Sequence, residues 1–348
     1  MLHLLHSPHM LPRAACLQRS PSNKSRRYKN FLINGKKYAL DVILGGGRSY
    51  FVGNKRTDFK SERKDDWDGI DAASQQGYNL CYDRTAMLNV KNLPIMGLFN
   101  DQEMKFNIDR SKDDSEPTLL EMSTHALNLL SQDNKNGFFL LIEGARIDHA
   151  GHNNDISAQY REVIQYNDVV QFVIDWATKD GKTLVVSTAD HETGGVTLAK
   201  DVDSISLYDY NSTVTLNVNK STFSMATLVV SDVQQGKSLD ESIRSALLSG
   251  GLDAPITDKE LTIAKSVIET ETQIGNVTVL MLGLDEVINR RTRIGFSTTG
   301  HTGIDVNVYA FGPSRELFFG NQENIDLGSK VASLMDFDLA AITKKLNE

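Results

Sequence analysis

From Asp41 onward the sequence alternates short apolar runs with longer amphipathic stretches, the pattern of strands and crossover helices in an α/β protein. Asp41-Val42-Ile43-Leu44 reads as a buried strand ended by Gly45-Gly46-Gly47, and Leu93 to Phe99 as a second strand. Pro117 to Leu130 carries Pro in its first turn and apolar residues at helical spacing. Phe138 to Ile142 is the most apolar strand, and Ser157 to Lys179 the longest expected helix, with Lys182 to Thr188 the strand after it. Ile304 to Ala310 alternates with period two and reads as a strand with one wet face, and a last helix is expected over about Asn324 to Leu346.

Residues 200 to about 290 lose this rhythm and become richer in Ser, Thr, Asn and Val. An inserted smaller β-containing subdomain is expected there, with one helix near Leu239 to Leu248. Residues 1–35 carry five scattered Arg and Lys between His3 and Arg27 and are expected to form a basic, disordered lead-in to a domain over 36–348.

Charge narrows the function. The chain of 348 residues holds 37 Lys+Arg against 45 Asp+Glu, a net charge of −8, which argues against a general nucleic-acid binder. Its longest apolar runs fall well short of the roughly 20 residues that cross a bilayer, so no transmembrane segment is expected. Cys16 and Cys81 form no metal-ligand spacing. Four N-x-[ST] sequons, at Asn23, Asn211, Asn219 and Asn276, hardly exceed chance.

The chemistry gathers in three loops that follow expected strands, where ligand sites form in open α/β sheets. The first is Glu143 to His152, in which Asp148 and His152 are four apart and share one helix face, a spacing suited to one metal ion. The second is Ser187 to Gly195, with adjacent Asp190 and His191; the third is Thr298 to Gly303, with His301 between glycines. Each loop alone is better explained by helix caps and surface histidines than by a metal site. Their coincidence is not: outside the lead-in five histidines remain, and only His125, placed in a helix, lies outside these loops. Spacing alone leaves a zinc or mixed-metal hydrolase open beside the bland reading.

The residues themselves resemble a known family. Glu143-Gly-Ala-Arg-Ile-Asp148-His149-Ala-Gly-His152, Thr188-Ala-Asp190-His191-Glu-Thr-Gly-Gly and Gly300-His301-Thr-Gly are similar to the three metal-binding segments of alkaline phosphatases. Asp41 to Phe51 and Gly137 to Ile142 add to the likeness, which extends to the C-terminus and is greatest to fungal vacuolar enzymes. The resemblance implies an alkaline-phosphatase-like central β-sheet flanked by helices. It implies a phosphomonoesterase with two zinc ions and one magnesium. Asp148, His152 and His301 resemble the full protein ligand set of one zinc, Asp190 and His191 two of three ligands of the second, and Glu143 a magnesium ligand. His149 stands where the family places a residue near the phosphate, a solvated loop histidine being the other reading. Phosphate monoester substrates, a homodimer and a vacuolar or secretory location are implied in the same way.

The family's serine nucleophile, its Asp-Gly-Met-Gly turn and its phosphate-clamping arginine precede the glycine-rich strand, and none is found in this sequence. Asp114-Ser115 and Asp203-Ser204 lack the expected context. The sequence therefore resembles the C-terminal three-fifths of the enzyme, and the catalytic nucleophile is not assigned. A non-catalytic metal-binding remnant is the alternative to a hydrolase, and a phosphodiesterase or mutase a third reading.

Overall fold

The computed structural model describes residues 2–6, 13–18, 40–112, 114–132, 134–269 and 277–347. Twelve strands occur among them: β1 Leu2–His6, β2 Arg13–Gln18, β3 Val42–Gly45, β4 Asn79–Cys81, β5 Ile95–Leu98, β6 Phe138–Ile142, β7 Thr183–Thr188, β8 Glu192–Thr193, β9 Val196–Leu198, β10 Ile294–Phe296, β11 His301–Thr302 and β12 Val308–Phe311. Eight of them form one sheet in the order β12-β7-β1-β6-β2-β3-β5-β4. Strands β6, β2, β3, β5 and β4 pair in parallel, while β1 runs antiparallel to both neighbours and β12 antiparallel to β7.

Alternation along each strand explains why both faces are covered. Val42, Leu44, Ile95, Phe138, Leu140, Ile142 and Val185 pack on one face with the helices Leu119–Ser131 and Ile156–Asp180. Ile43, Met96 and Leu98 join Phe51, Ile70 and Tyr78 on the other, and Leu184 and Val186 pack there on Phe318 and Met335. The helix Leu119–Ser131 starts at a reciprocal cap, the Thr118 side chain accepting from the Glu121 amide and the Glu121 side chain from the Thr118 amide. Asp155 caps the 25-residue helix Ile156–Asp180, and Gly181 ends it with φ 68°.

Three expectations need revision. The expected lead-in falls partly on residues outside the description, but Leu2–His6 and Arg13–Gln18 are strands. They flank β6, whose buried backbone groups need partners on both sides. The inserted segment is built of helices, Ser212–Asn217, Thr222–Gln234, Leu239–Ser249, Asp258–Glu269 and Val277–Thr292, around its own apolar core. Its β content lies in the two-stranded β9–β10 ladder at its base and an isolated bridge between Val202 and Ile205. Much of the Ser, Thr and Asn that suggested strands caps helices instead: Asn211, Ser221, Ser238 and Thr257 each accept from a first-turn amide. The last expected helix is divided into Asn324–Leu334 and Leu339–Asn347 by a turn in which Asp336 adopts φ 54° and Met335 is buried.

Candidate metal centre

All three predicted loops meet at one end of the sheet. Strand β6 ends at Ile142 and leads through Glu143 into the helix Ala145–Asn153, which carries Asp148 and His152. Strand β7 runs the same way as β6 and delivers Asp190 and His191. Residues Ser297–Gly300 then bring in His301 on β11, which pairs with β8 so that His301 faces Thr193 and Thr302 faces Glu192. The ladder extends into the loops, because the Gly194 amide donates to Gly300 O at 2.9 Å.

Asp148, His152 and His301 are the one group of three His, Cys, Asp or Glu residues among those described whose donor atoms can all meet one ion. The Nε2 atoms of His152 and His301 lie 3.1 Å apart, and Asp148 Oδ1 lies 3.4 Å from the first and 3.7 Å from the second. Ligands at the zinc distance of about 2.1 Å in a tetrahedral arrangement stand roughly 3.4 Å from one another. The triangle therefore fits a tetrahedral ion with one position left over.

Protonation suits the same use. His152 Nδ1 lies 2.5 Å from the carbonyl of Thr299, which only accepts, so the ring proton sits on Nδ1 and the Nε2 lone pair faces Asp148 and His301. Asn154, in the left-handed region with φ 60°, closes the helix and donates to the Thr298 carbonyl at 2.9 Å, tying the first loop to the third.

Asp190 Oδ2 stands 3.5 Å from His191 Nε2, again near the edge of a ligand pair, and the His191 ring stacks on His301 with centroids 3.5 Å apart. Glu143 lines the same cavity of about 500 Å³ as Asp148, Asp190 and His191. His149 is placed differently. It faces a second cavity of about 650 Å³, also lined by His152, where Arg146 donates to its Nδ1 at 2.7 Å. Burial, helped by the Arg146 charge, lowers its pKa and keeps the imidazole neutral. Arg146 itself lies 3.6 Å over the Phe106 ring. His125 sits in the helix Leu119–Ser131, as expected.

Sequence reasoning missed Thr193, Glu192 and Gly151. The Thr193 hydroxyl donates to Asp148 Oδ1 at 2.6 Å, and the Glu192 carboxylate accepts from the Gly195 amide and the Thr302 hydroxyl. A Cβ on Gly151 would sit 2.7 Å from Thr193 O. Thr193 and Glu192 lie inside the second motif and Gly151 inside the first, but only backbone register shows what they touch.

The family model described as alkaline phosphatase matches residues 8–337. The chain belongs to the alkaline phosphatase family. It is 33% identical to alkaline phosphatase 3 of Bacillus subtilis over 90% of this chain and 61% of that protein. It is 32% identical to the repressible alkaline phosphatase of Saccharomyces cerevisiae over 89% of this chain and 59% of that one. The crystal structure of a cold-active alkaline phosphatase from Shewanella sp. superposes with TM-score 0.73 at 26% identity, over 93% of this chain and 75% of that one. The chain thus spans about three-fifths of the length of these curated relatives. Alkaline phosphatases are metal-dependent, and the donor set here is of the nitrogen and oxygen kind that zinc takes.

Proposed function

We propose that this alkaline phosphatase chain hydrolyses phosphate monoesters at a metal centre built from its three loops. Asp148, His152 and His301 would hold one zinc, Asp190 and His191 a second, and Glu143 a magnesium ion. Zinc in these positions supplies Lewis acidity toward the phosphoryl group and the leaving oxygen. The protein's own part is orientation: the Thr299 carbonyl holds His152 in one tautomer, and the Thr193 hydroxyl holds Asp148. His149, neutral beside the charge of Arg146, is assigned to phosphate contact. The observation that carries the reading is the three-donor triangle with edges of 3.1, 3.4 and 3.7 Å.

A homodimer and a vacuolar or secretory location follow from the same kinship, the latter supported by the likeness to the yeast repressible enzyme. No described helix is long and apolar enough to cross a membrane.

A second reading, zinc binding without turnover, is favoured by one observation: among the described residues Asp190 and His191 gather no third His, Cys, Asp or Glu into a common donor group. Assay of the zinc- and magnesium-supplemented chain on p-nitrophenyl phosphate and on its bis-ester separates the cases. Monoester turnover supports the hydrolase. Zinc uptake with neither substrate cleaved supports the second reading, and preference for the diester would overturn both.

A further inference from the structure

Between the two metal positions stands one buried hydroxyl. Thr193 is 6% exposed on β8, and its Oγ1 lies 2.6 Å from Asp148 Oδ1 and 3.1 Å from His191 Nδ1. An ionised carboxylate only accepts, so the hydroxyl proton goes to Asp148. The hydroxyl has no second proton to give, so the contact with His191 must run the other way, with Nδ1–H donating to Oγ1. The unprotonated nitrogen of His191 is then Nε2, the atom 3.5 Å from Asp190 Oδ2. A single side chain therefore fixes the carboxylate of one candidate ligand set and the tautomer of the other.

The fold makes room for this contact. Gly151 lies one turn beyond Asp148 on the same helix, and a Cβ there would stand 2.7 Å from Thr193 O and 3.1 Å from Thr193 Cβ. Only a bare helix surface lets β8 come so close. The β8–β11 ladder holds Thr193 opposite His301, the third member of the triad.

We propose that Thr193 is a positioning residue that couples the two metal positions, through a proton-ordered chain from His191 Nδ1–H to Thr193 Oγ1–H to Asp148 Oδ1. Filling either position orders the donors of the other, so that metal ions bind cooperatively. This rests on the ligand assignment under Proposed function.

The test compares the unaltered chain with Thr193→Val, which keeps the shape and removes the hydroxyl, and Thr193→Ser, which restores it. Metal-free protein is first examined by nitrogen-15 NMR of the imidazoles. His191 should be the Nδ1–H tautomer in the unaltered chain and in Thr193→Ser, and should lose that preference in Thr193→Val. Titration with Co²⁺, followed by its d–d absorption, should then show both positions weakened in Thr193→Val, by the roughly 10- to 100-fold typical of a lost outer partner, with cooperativity abolished. Thr193→Ser should remain cooperative. An unchanged His191 tautomer in Thr193→Val, or weakening confined to one position, overturns the coupling. Failure of the ligand assignment itself would appear as no Co²⁺ uptake by the unaltered chain, and the metal-free tautomer measurement still decides the hydrogen-bond chain.

Discussion

The imidazoles of His152 and His301, 149 residues apart in sequence, point their Nε2 atoms at each other across 3.1 Å. Asp148 Oδ1 completes the triangle. Removing one corner leaves two of the three proposed ligands, so His301→Ala should abolish most tightly bound zinc, a greater loss than the about 10- to 100-fold cost of an outer partner. Metal analysis of dialysed protein checks this. Unchanged stoichiometry in the variant would remove His301 from the ligand set.

Gly151→Ala sets two effects against each other. Alanine in a helix interior gains roughly 1 kcal/mol over glycine, whereas overpacking against a backbone atom that cannot yield costs about 1–3 kcal/mol. Because the added Cβ meets the Thr193 carbonyl at 2.7 Å, the second effect should win. The variant should melt at a lower temperature and bind zinc more weakly. A raised melting temperature with intact zinc affinity would show that β8 has slack.

The inserted helices dock on the core through buried polar groups with a pH signature. Asp155 Oδ2 and Asp285 Oδ2 both reach Thr222 Oγ1, at 3.1 and 3.0 Å. One hydroxyl proton cannot serve two carboxylates, so Asp285 donates as the neutral acid. Burial first, and the neighbouring Asp155 second, hold its pKa well above the usual carboxylate range. The folded chain thus keeps a proton that the unfolded chain releases above about pH 3.9. Stability falls as pH rises through that window, until the folded pKa is passed. Asp285→Asn keeps a donor to Thr222 and removes the titration. Its melting temperature should decline less between pH 5 and pH 9, ending about 2 °C or more above the unaltered chain at the alkaline end. Parallel curves would refute the neutral assignment.

Glu192 joins the second loop to the third, accepting from the Gly195 amide at 3.0 Å and from the Thr302 hydroxyl. Glu192→Gln retains the volume and loses the charge. Because Thr302 follows His301 directly, the variant should bind zinc about 10-fold more weakly, the low end of the range for outer partners. Calorimetric zinc titration beside a thermal melt separates this from general unfolding, which would lower both together.

What the sequence made legible was periodic or local. Val42, Ile43 and Leu44 alternate between the two cores of the sheet, and Asp148 and His152 share a helix face. Contacts made by register were not readable, since nothing local says that Thr193 reaches Asp148 or that Thr299 holds His152. Apart from Leu239–Ser249, which was expected, the helices of the insertion were hidden because Ser221 and Thr257 favour caps and turns as much as strands, and only the finished first turn distinguishes them. Strands β1 and β2 were missed for a related reason: their strand character comes from pairing with β6 rather than from a long apolar run.

The central claim is that Asp148, His152 and His301 form one zinc site. Zinc-edge X-ray absorption on metal-free protein given a single equivalent of zinc tests it most directly. Two imidazole nitrogens and a carboxylate oxygen at about 2.0–2.2 Å are expected, with the nitrogen signal falling in His301→Ala. A first equivalent bound without histidine, or a spectrum that His301→Ala leaves unaltered, would contradict the account.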